Sequence, residues 1–187
     1  MVAVYIIIGI VVILLIFFVI TYNGLIRLRN QVRNAWAQID VQLKRRYDLI
    51  PNLIETVKGY MKYERATLEA VTKARNLAQS LASGDVGARS KAEGELSGAL
   101  ARLLAVAERY PDLKANQNFL ALQEELTSTE NKISFSRQYY NDSVLNLNNK
   151  AQMFPSNIVA SMTGFKLGEF FEVTVAAEKE APKVSFT

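Results

Sequence analysis

The first 26 residues carry no charged side chain, and this feature constrains the fold more than any other. Residues 2–20 read VAVYIIIGIVVILLIFFVI. At about 1.5 Å per residue a helix of this length spans roughly 28 Å, close to the thickness of a bilayer core. A cleaved signal peptide is the alternative, but no Lys or Arg precedes the run and no small-residue cleavage site follows it. We therefore predict a transmembrane helix over residues 1–22.

The charges that follow the apolar run predict its orientation. Asp40 is the single acid among six basic residues, which are Arg27, Arg29, Arg33, Lys44, Arg45 and Arg46. Basic residues next to a span are retained on the cytoplasmic side, so the rest of the chain is predicted to be cytoplasmic, with an extracytoplasmic domain as the alternative. Because they follow the span most closely, Arg27, Arg29 and Arg33 are predicted to contact lipid headgroups.

The composition excludes most catalytic chemistry. The chain has neither His nor Cys, which removes Ser-His-Asp and Cys-His catalysis, disulfides, and zinc sites built on imidazole or thiolate. Glu124 and Glu125 are adjacent, so on a helix they project about 100° apart and do not share one site. We predict no enzymatic activity, no cofactor and no bound metal.

The charge pattern also argues against nucleic acid as a partner. The net charge is only +4, and no aromatic residues alternate with the bases as they do in single-strand binders. The basic run of Lys44, Arg45 and Arg46 is interpreted as a solvated helix face, with contact to lipid or nucleic acid as the alternative.

Beyond the span, apolar residues recur every three, four or seven positions, which predicts helices almost throughout. One stripe predicts a first helix from Leu25 to about Leu81. Pro51 lies within it and removes the N–H that would bond to the Tyr47 carbonyl, so it either kinks this helix or begins a second one. After a glycine-rich turn, a further helix is predicted to end at about Tyr110.

The second half of the chain has the clearest helical period. Asn116 is predicted to cap a third helix that ends at about Lys150. Its apolar stripe repeats every seven residues, at Phe119, Leu126, Ile133, Tyr140 and Leu147. Pro155 is predicted in the first turn of a short fourth helix, with Gly164 just past its end in the left-handed conformation.

These patterns predict an all-α fold with an N-terminal transmembrane helix. An antiparallel up-and-down bundle of three long helices and a short fourth follows the span. The predicted divisions are residues 1–22 for the anchor, 23–165 for the bundle and 166–187 for a tail. The tail is expected to pack Phe170, Phe171 and Phe186 onto the bundle.

The predicted helix lengths suggest self-association. If the first helix is unbroken and the third runs away from the membrane, nothing in the chain covers the beginning of the apolar stripe. Six residues would then be exposed, which is more apolar surface than a soluble face tolerates. We predict a homo-oligomer joined through this membrane-proximal stripe, which consists of Leu25, Leu28, Val32, Trp36, Ile39 and Leu43.

Polar residues are dense on the third helix. They form either a polar seam that fixes the register of the bundle or a site for a small ligand or peptide. The cluster comprises Thr127, Thr129, Glu130, Asn131, Arg137, Tyr139, Tyr140 and Asn141.

Three segments of the sequence resemble the LemA family of bacterial membrane proteins. They are AWAQIDVQLKRRYDLIPNLIETVKGY, ERYPDLKANQNFLALQEELTSTENKISFSRQYYN and FPSNIVASMTGF. Where the family often has a His after the first GY, this chain reads MKYE. The resemblance implies a single-pass protein of the bacterial inner membrane that carries an up-and-down helical bundle, and it implies no enzymatic activity.

Together these features predict a membrane-anchored, non-enzymatic scaffold that associates with itself and with other membrane proteins. Its expected partners are the lipid bilayer, further copies of the chain and membrane proteins whose identity the sequence does not give. The alternative is a binding module that uses the polar cluster of the third helix.

Overall fold

A computed structural model describes residues 1–82 and 85–172, and within them all regular structure is helical. The helices are α1 (Val2–Lys58), α2 (Arg65–Ser80), α3 (Val86–Ala107), α4 (Pro111–Lys114), α5 (Gln117–Gln152) and α6 (Ser156–Met162). The predicted all-α class is confirmed, and α1 begins with the apolar run. Its N-terminal part is long and apolar enough to cross a membrane, and none of that stretch is buried.

The chain divides into two compact units. Among the described residues, the first unit comprises 1–39 and 136–169, and the second comprises 40–135 and 170–172. Both α1 and α5 contribute residues to each unit. These units do not test the predicted boundaries after residues 22 and 165, which stay predictions.

Pro51 lies inside α1 and does not end it. A proline leaves the carbonyl four residues earlier without its helical donor, and here that carbonyl belongs to Tyr47. The Nε–H of Arg75, on α2, donates to the Tyr47 carbonyl at 2.8 Å. The Arg75 side chain therefore replaces the hydrogen bond that Pro51 removes.

The first helix ends at Lys58, well before Leu81, so its predicted length is wrong. A turn over residues 59–64 separates it from α2. The apolar stripe keeps its phase across the turn, and Met61 and Val71 are both buried, so the sequence pattern alone conceals the break.

Side-chain oxygens cap the starts of two helices, α3 and α5. The carboxylate of Asp85 accepts hydrogen bonds from two backbone amides at the start of α3. Asn116 caps α5 as predicted, since its Oδ1 accepts from the Phe119 amide at 3.1 Å. Pro155 immediately precedes α6 and is not within its first turn. Gly164 adopts a φ of 68°, which confirms the predicted left-handed residue after the short helix.

The seven-residue stripe of α5 is buried at every predicted position. Phe119, Leu126, Ile133, Tyr140 and Leu147 are each between 2% and 4% exposed. In the second unit the core also contains residues from α1, α3 and α4, namely Ile50, Leu53, Val57, Leu96, Leu103 and Leu113.

In the first unit, α1 and the C-terminal half of α5 pack together. Leu25 and Leu147 belong to one apolar cluster, and the rings of Trp36 and Tyr140 lie 5.0 Å apart. A later residue of α1 thus contacts an earlier residue of α5, so the two helices are antiparallel within this unit. An up-and-down arrangement of the whole bundle stays a prediction.

This pairing corrects the argument for an uncovered membrane-proximal stripe. Leu25, Ile39 and Leu43 are fully buried within the single chain, and the other three members, Leu28, Val32 and Trp36, are partly buried. The expectation that nothing in the chain covers the stripe is wrong, because α5 runs back along the start of α1. Self-association itself is not tested by a single chain.

The tail prediction can be compared with the structure only in part. Phe171 is buried at 3% exposure, whereas Phe170 is 40% exposed. Phe186 lies outside the described residues.

Candidate functional site

A buried ionic cluster lies in the second unit, and Arg46 is its centre. The Arg46 side chain is 1% exposed. Its guanidinium donates to Ser97 Oγ at 2.8 Å, to Glu130 Oε1 at 2.6 Å and to a carboxylate oxygen of Glu93. The Glu93 side chain is also buried, whereas that of Glu130 is 36% exposed. The cluster therefore joins residues of α1, α3 and α5 by charge-assisted hydrogen bonds.

Tyr47 completes this cluster from the next position on α1. Its hydroxyl donates to the other carboxylate oxygen of Glu93. Burial, and then the hydrogen bond to Glu93, raise the pKa of the Tyr47 phenol well above its ordinary value. The phenol consequently stays neutral and acts as a donor at physiological pH, and both oxygens of Glu93 have a partner.

A second buried arginine lies on α3. Arg89 is 2% exposed, and its Nη2 lies 2.6 Å from Asp40 Oδ1 on α1. Its Nη1 donates to the carbonyl of Ala82 at 2.9 Å. The next residue, Ser90, donates from its hydroxyl to the carbonyl of Glu172.

The basic run does not have a uniform environment, so its interpretation as a solvated face is wrong for one member. Lys44 and Arg45 are exposed, and Arg45 pairs with Glu125 at 2.6 Å on the surface. Arg46 is buried. Its position, three residues after Leu43 and four before Ile50, is the signal that could have predicted its burial.

A groove on the second unit is open to solvent and has an apolar floor. It has a volume of about 830 Å³ and lies between the end of α1 and α2. Ile54, Met61 and Leu68 contribute its apolar side chains. Its charged lining residues are Lys58, Lys62, Arg65, Lys73 and Glu69. We call this the basic groove.

The charge of the basic groove is unbalanced. Its one carboxylate, Glu69, pairs with Arg65 at 2.6 Å. Within residues 1–82 and 85–172, no ion pair involves Lys58, Lys62 or Lys73. Three ammonium groups therefore surround an apolar floor. The sequence analysis did not predict this combination, because Lys58 ends α1, Lys62 lies in the turn after it and Lys73 lies on α2.

The polar cluster of the third predicted helix has members in both units. In the second unit, Thr129 is buried and its hydroxyl donates to the carbonyl of Glu125 at 2.7 Å. In the first unit, the Tyr140 hydroxyl donates to the carbonyl of Glu169 at 2.9 Å, while Tyr139 is 40% exposed. Its buried members are thus engaged in hydrogen bonds inside their own units.

The three arginines predicted to contact headgroups are all exposed in the first unit. Arg29 also lies over the ring of Phe165, with its Cζ 5.4 Å from the ring centroid. Contact of Arg27, Arg29 and Arg33 with lipid stays a prediction.

In the described part of the chain, no three carboxylates converge in a way that would hold a metal ion. The acidic residues of the buried cluster instead face arginine and tyrosine donors. This arrangement suits a structural role better than acid–base chemistry, since each group is held by a fixed partner.

Comparison with known proteins assigns the chain to a family. The family description "LemA family" matches residues 35–186. The chain belongs to the LemA family. The match includes the buried Arg46 cluster and the basic groove, so both lie in the part of the chain that defines the LemA relationship.

Individual relatives carry the names of two groups of proteins. Protein LemA of Metamycoplasma hominis is 30% identical over 140 residues, which cover 74% of this chain and 63% of that protein. Magnetosome protein MamQ 2 of Paramagnetospirillum magneticum is 25% identical over 183 residues, with 84% and 66% covered. Magnetosome protein MamQ of Magnetospirillum gryphiswaldense is 23% identical over 181 residues, with the same coverage. The chain thus spans slightly less than two thirds of the length of these LemA-related proteins.

Proposed function

We propose that this protein is a membrane-anchored, non-enzymatic scaffold that binds an acidic amphipathic segment of a partner protein in its basic groove. The groove is the observation that supports this function. Apolar side chains in its floor would accept a hydrophobic face, and Lys58, Lys62 and Lys73 would attract carboxylates at its rim. Family membership and the apolar start of α1 support the anchoring.

The environment of the titratable groups supports a non-enzymatic role. Glu93 and Arg46 hold each other in the core, and Tyr47 is neutral. The alternative of a ligand site in the polar cluster of α5 has less support: Thr127 and Asn131 line a shallow groove, but the buried hydroxyls of Thr129 and Tyr140 already donate to backbone carbonyls.

A designed peptide tests the groove. The probe is a fluorescent peptide of acidic residues with leucines at helical spacing, and a scrambled peptide of equal composition is its control. The full chain in lipid nanodiscs should bind the probe, and Lys62→Glu with Lys73→Glu should weaken binding by at least about tenfold, or about 1.4 kcal/mol. Lys44→Glu with Lys91→Glu changes the net charge equally, at exposed positions outside the groove, and should bind like the wild type. Equal loss in both double variants, or equal binding of the scrambled peptide, would reject the proposal.

The proposal includes a cytoplasmic domain, for which the basic excess after the apolar run is the support. Tyr63 is 96% exposed, so a cysteine can replace it without disturbing the core. In intact cells an impermeant thiol reagent should leave Tyr63→Cys unlabelled until the membrane is permeabilised. Labelling before permeabilisation would place the domain outside.

Self-association is the last part of the proposal. Leu28, Val32 and Trp36 are the members of the membrane-proximal stripe that are only partly buried within the single chain. Chemical cross-linking in native membranes should give an oligomer that Val32→Glu weakens. A monomer before any substitution would refute this part and leave the groove untouched.

A further inference from the structure

The segment from residue 151 to residue 165 contains no charged side chain. It reads AQMFPSNIVASMTGF and includes α6. Lys150 immediately precedes it and Lys166 immediately follows it, and both are exposed. Among the described residues, one other uncharged stretch of at least this length is followed by basic residues, and it is the apolar run at the start of α1.

Apolar side chains lie on the inner side of α6 and on part of its outer side. Val159 and Ala160 point inward and are 3% exposed. On the outer side, Ile158 and Met162 are 51% and 71% exposed and lie four residues apart, on one face of the helix. Phe154, in the turn before α6, is 81% exposed. The outer side also carries the exposed residues Asn157 and Ser161, so an apolar strip lies beside a polar one, as in helices that lie in a membrane interface.

The inner face of α6 packs against the end of the apolar run. Val159 and Ala160 share an apolar cluster with Leu25 and with Phe18. Phe18 is the one residue of 2–20 that is partly buried, and the others are exposed. The ring of Phe165, just after α6, lies 6.2 Å from that of Tyr22. The segment is therefore level with the last turn of the predicted span.

Two occupants could cover the outer face of α6, namely lipid and a second copy of the chain. Continuity with the membrane-spanning run favours lipid, because a group packed on Phe18 is already at the depth of the acyl chains. The flanking charges favour it as well, since Lys150, Lys166 and Arg29 would lie at the level of anionic headgroups.

We propose that the segment 151–165 inserts into the membrane interface beside the transmembrane helix and forms a second contact with the acyl chains. This inference rests on the proposed anchoring of α1. It differs from the headgroup contact predicted for the arginines, because the groups that enter the lipid are Phe154, Ile158 and Met162.

Spin labels on single cysteines test the insertion directly, and the chain has no native cysteine. The full chain in anionic lipid nanodiscs carries a nitroxide at Phe154→Cys or Met162→Cys. Val11→Cys, within the apolar run, reports on anchoring. Tyr139→Cys is the matched aqueous control, because Tyr139 is a surface aromatic residue of the same unit. Its neighbour Tyr140 contacts Trp36, which follows the end of the apolar run by 16 residues, so position 139 lies away from the predicted span.

The expected result is a several-fold higher ratio of oxygen to aqueous nickel-chelate collisions at positions 154 and 162 than at position 139. A ratio like that of Tyr139→Cys, with lipid access at Val11→Cys, would overturn the insertion but leave the anchoring intact. Aqueous access at Val11→Cys would overturn the anchoring too. Protection from both reagents at 154 and 162 would mean that protein covers the face, and this would also refute lipid contact.

A second variant separates insertion from folding. Ile158→Asp with Met162→Asp places charges on the outer face of α6, where the structure needs neither side chain for its core. The label at position 154 should then lose its lipid access, while the melting temperature and helical content stay unchanged. An unchanged collision ratio at position 154 would contradict the proposal.

Discussion

Removing the Arg46 side chain should destabilise the second unit far more than removing that of its neighbour Arg45. In Arg46→Met, Glu93 loses its charged partner, and its side chain is only 4% exposed, so water cannot replace that partner. Removing one member of a buried ion pair costs about 3–5 kcal/mol. Glu130 adds little to this cost, because its side chain is 36% exposed and can be hydrated. The loss is a large part of the ~5–15 kcal/mol that stabilises a domain.

Arg45→Met is the matched control. The same substitution one residue earlier removes a surface pair whose side chains are 44% and 49% exposed. Such pairs contribute about 0–1 kcal/mol. In a chain of this size each kcal/mol shifts the melting temperature by about 2–4 °C, so we expect a decrease of about 6–20 °C for Arg46→Met and at most about 4 °C for Arg45→Met.

Circular dichroism of the full chain in mild detergent measures both shifts, and urea unfolding at constant m-value converts them to free energies. Arg46→Met with Glu93→Met removes both charges and should regain much of the lost stability, because the unpaired carboxylate is gone. Equal melting of the two single variants would refute the reasoning. It would mean that water reaches Glu93 and that burial does not control the energy of this pair.

Two further predictions concern the same unit. The pKa of Tyr47 is raised in the folded state, so its contribution to stability is complete below about pH 10 and is lost as the pH rises toward the folded pKa. The free energy of unfolding should therefore fall above about pH 10, and it should fall less steeply in Tyr47→Phe. An identical slope in the two proteins would contradict this assignment. Ile133 is 3% exposed, so Ile133→Asp should cost several kcal/mol and unfold or aggregate the chain, whereas Glu124→Gln, at an exposed position, should melt like the wild type. A normal melting curve for Ile133→Asp would show that its carboxylate reaches water.

Much of the helical pattern was predictable because helices are local. Asn116 could be recognised as a cap and Ile133 as a core residue from spacing alone. The break after Lys58 could not, since Met61 and Val71 continue the stripe across a turn that contains no proline. The prediction of one unbroken helix across this turn reversed the direction expected for α5. It therefore led to the wrong expectation that Leu25 is uncovered.

The sites were harder to predict than the helices, because they depend on residues far apart in the sequence. Arg46 and Glu93 are separated by 47 positions, and nothing in the run of Lys44, Arg45 and Arg46 shows which member meets a carboxylate. The basic groove combines Lys58 and Lys73 across the missed break. Charge and composition were sufficient to predict the long apolar helix at the start of α1, because its apolar run is continuous.

The hydrogen bond from Arg75 to the Tyr47 carbonyl has an evolutionary consequence. A homologue with any residue other than proline at position 51 has its own backbone N–H for that carbonyl and no longer requires an arginine on α2. A homologue that keeps the proline and loses the arginine leaves the carbonyl without its replacement donor. Positions 51 and 75 should therefore vary together across the family, and the order of substitution should matter: proline must be lost before arginine.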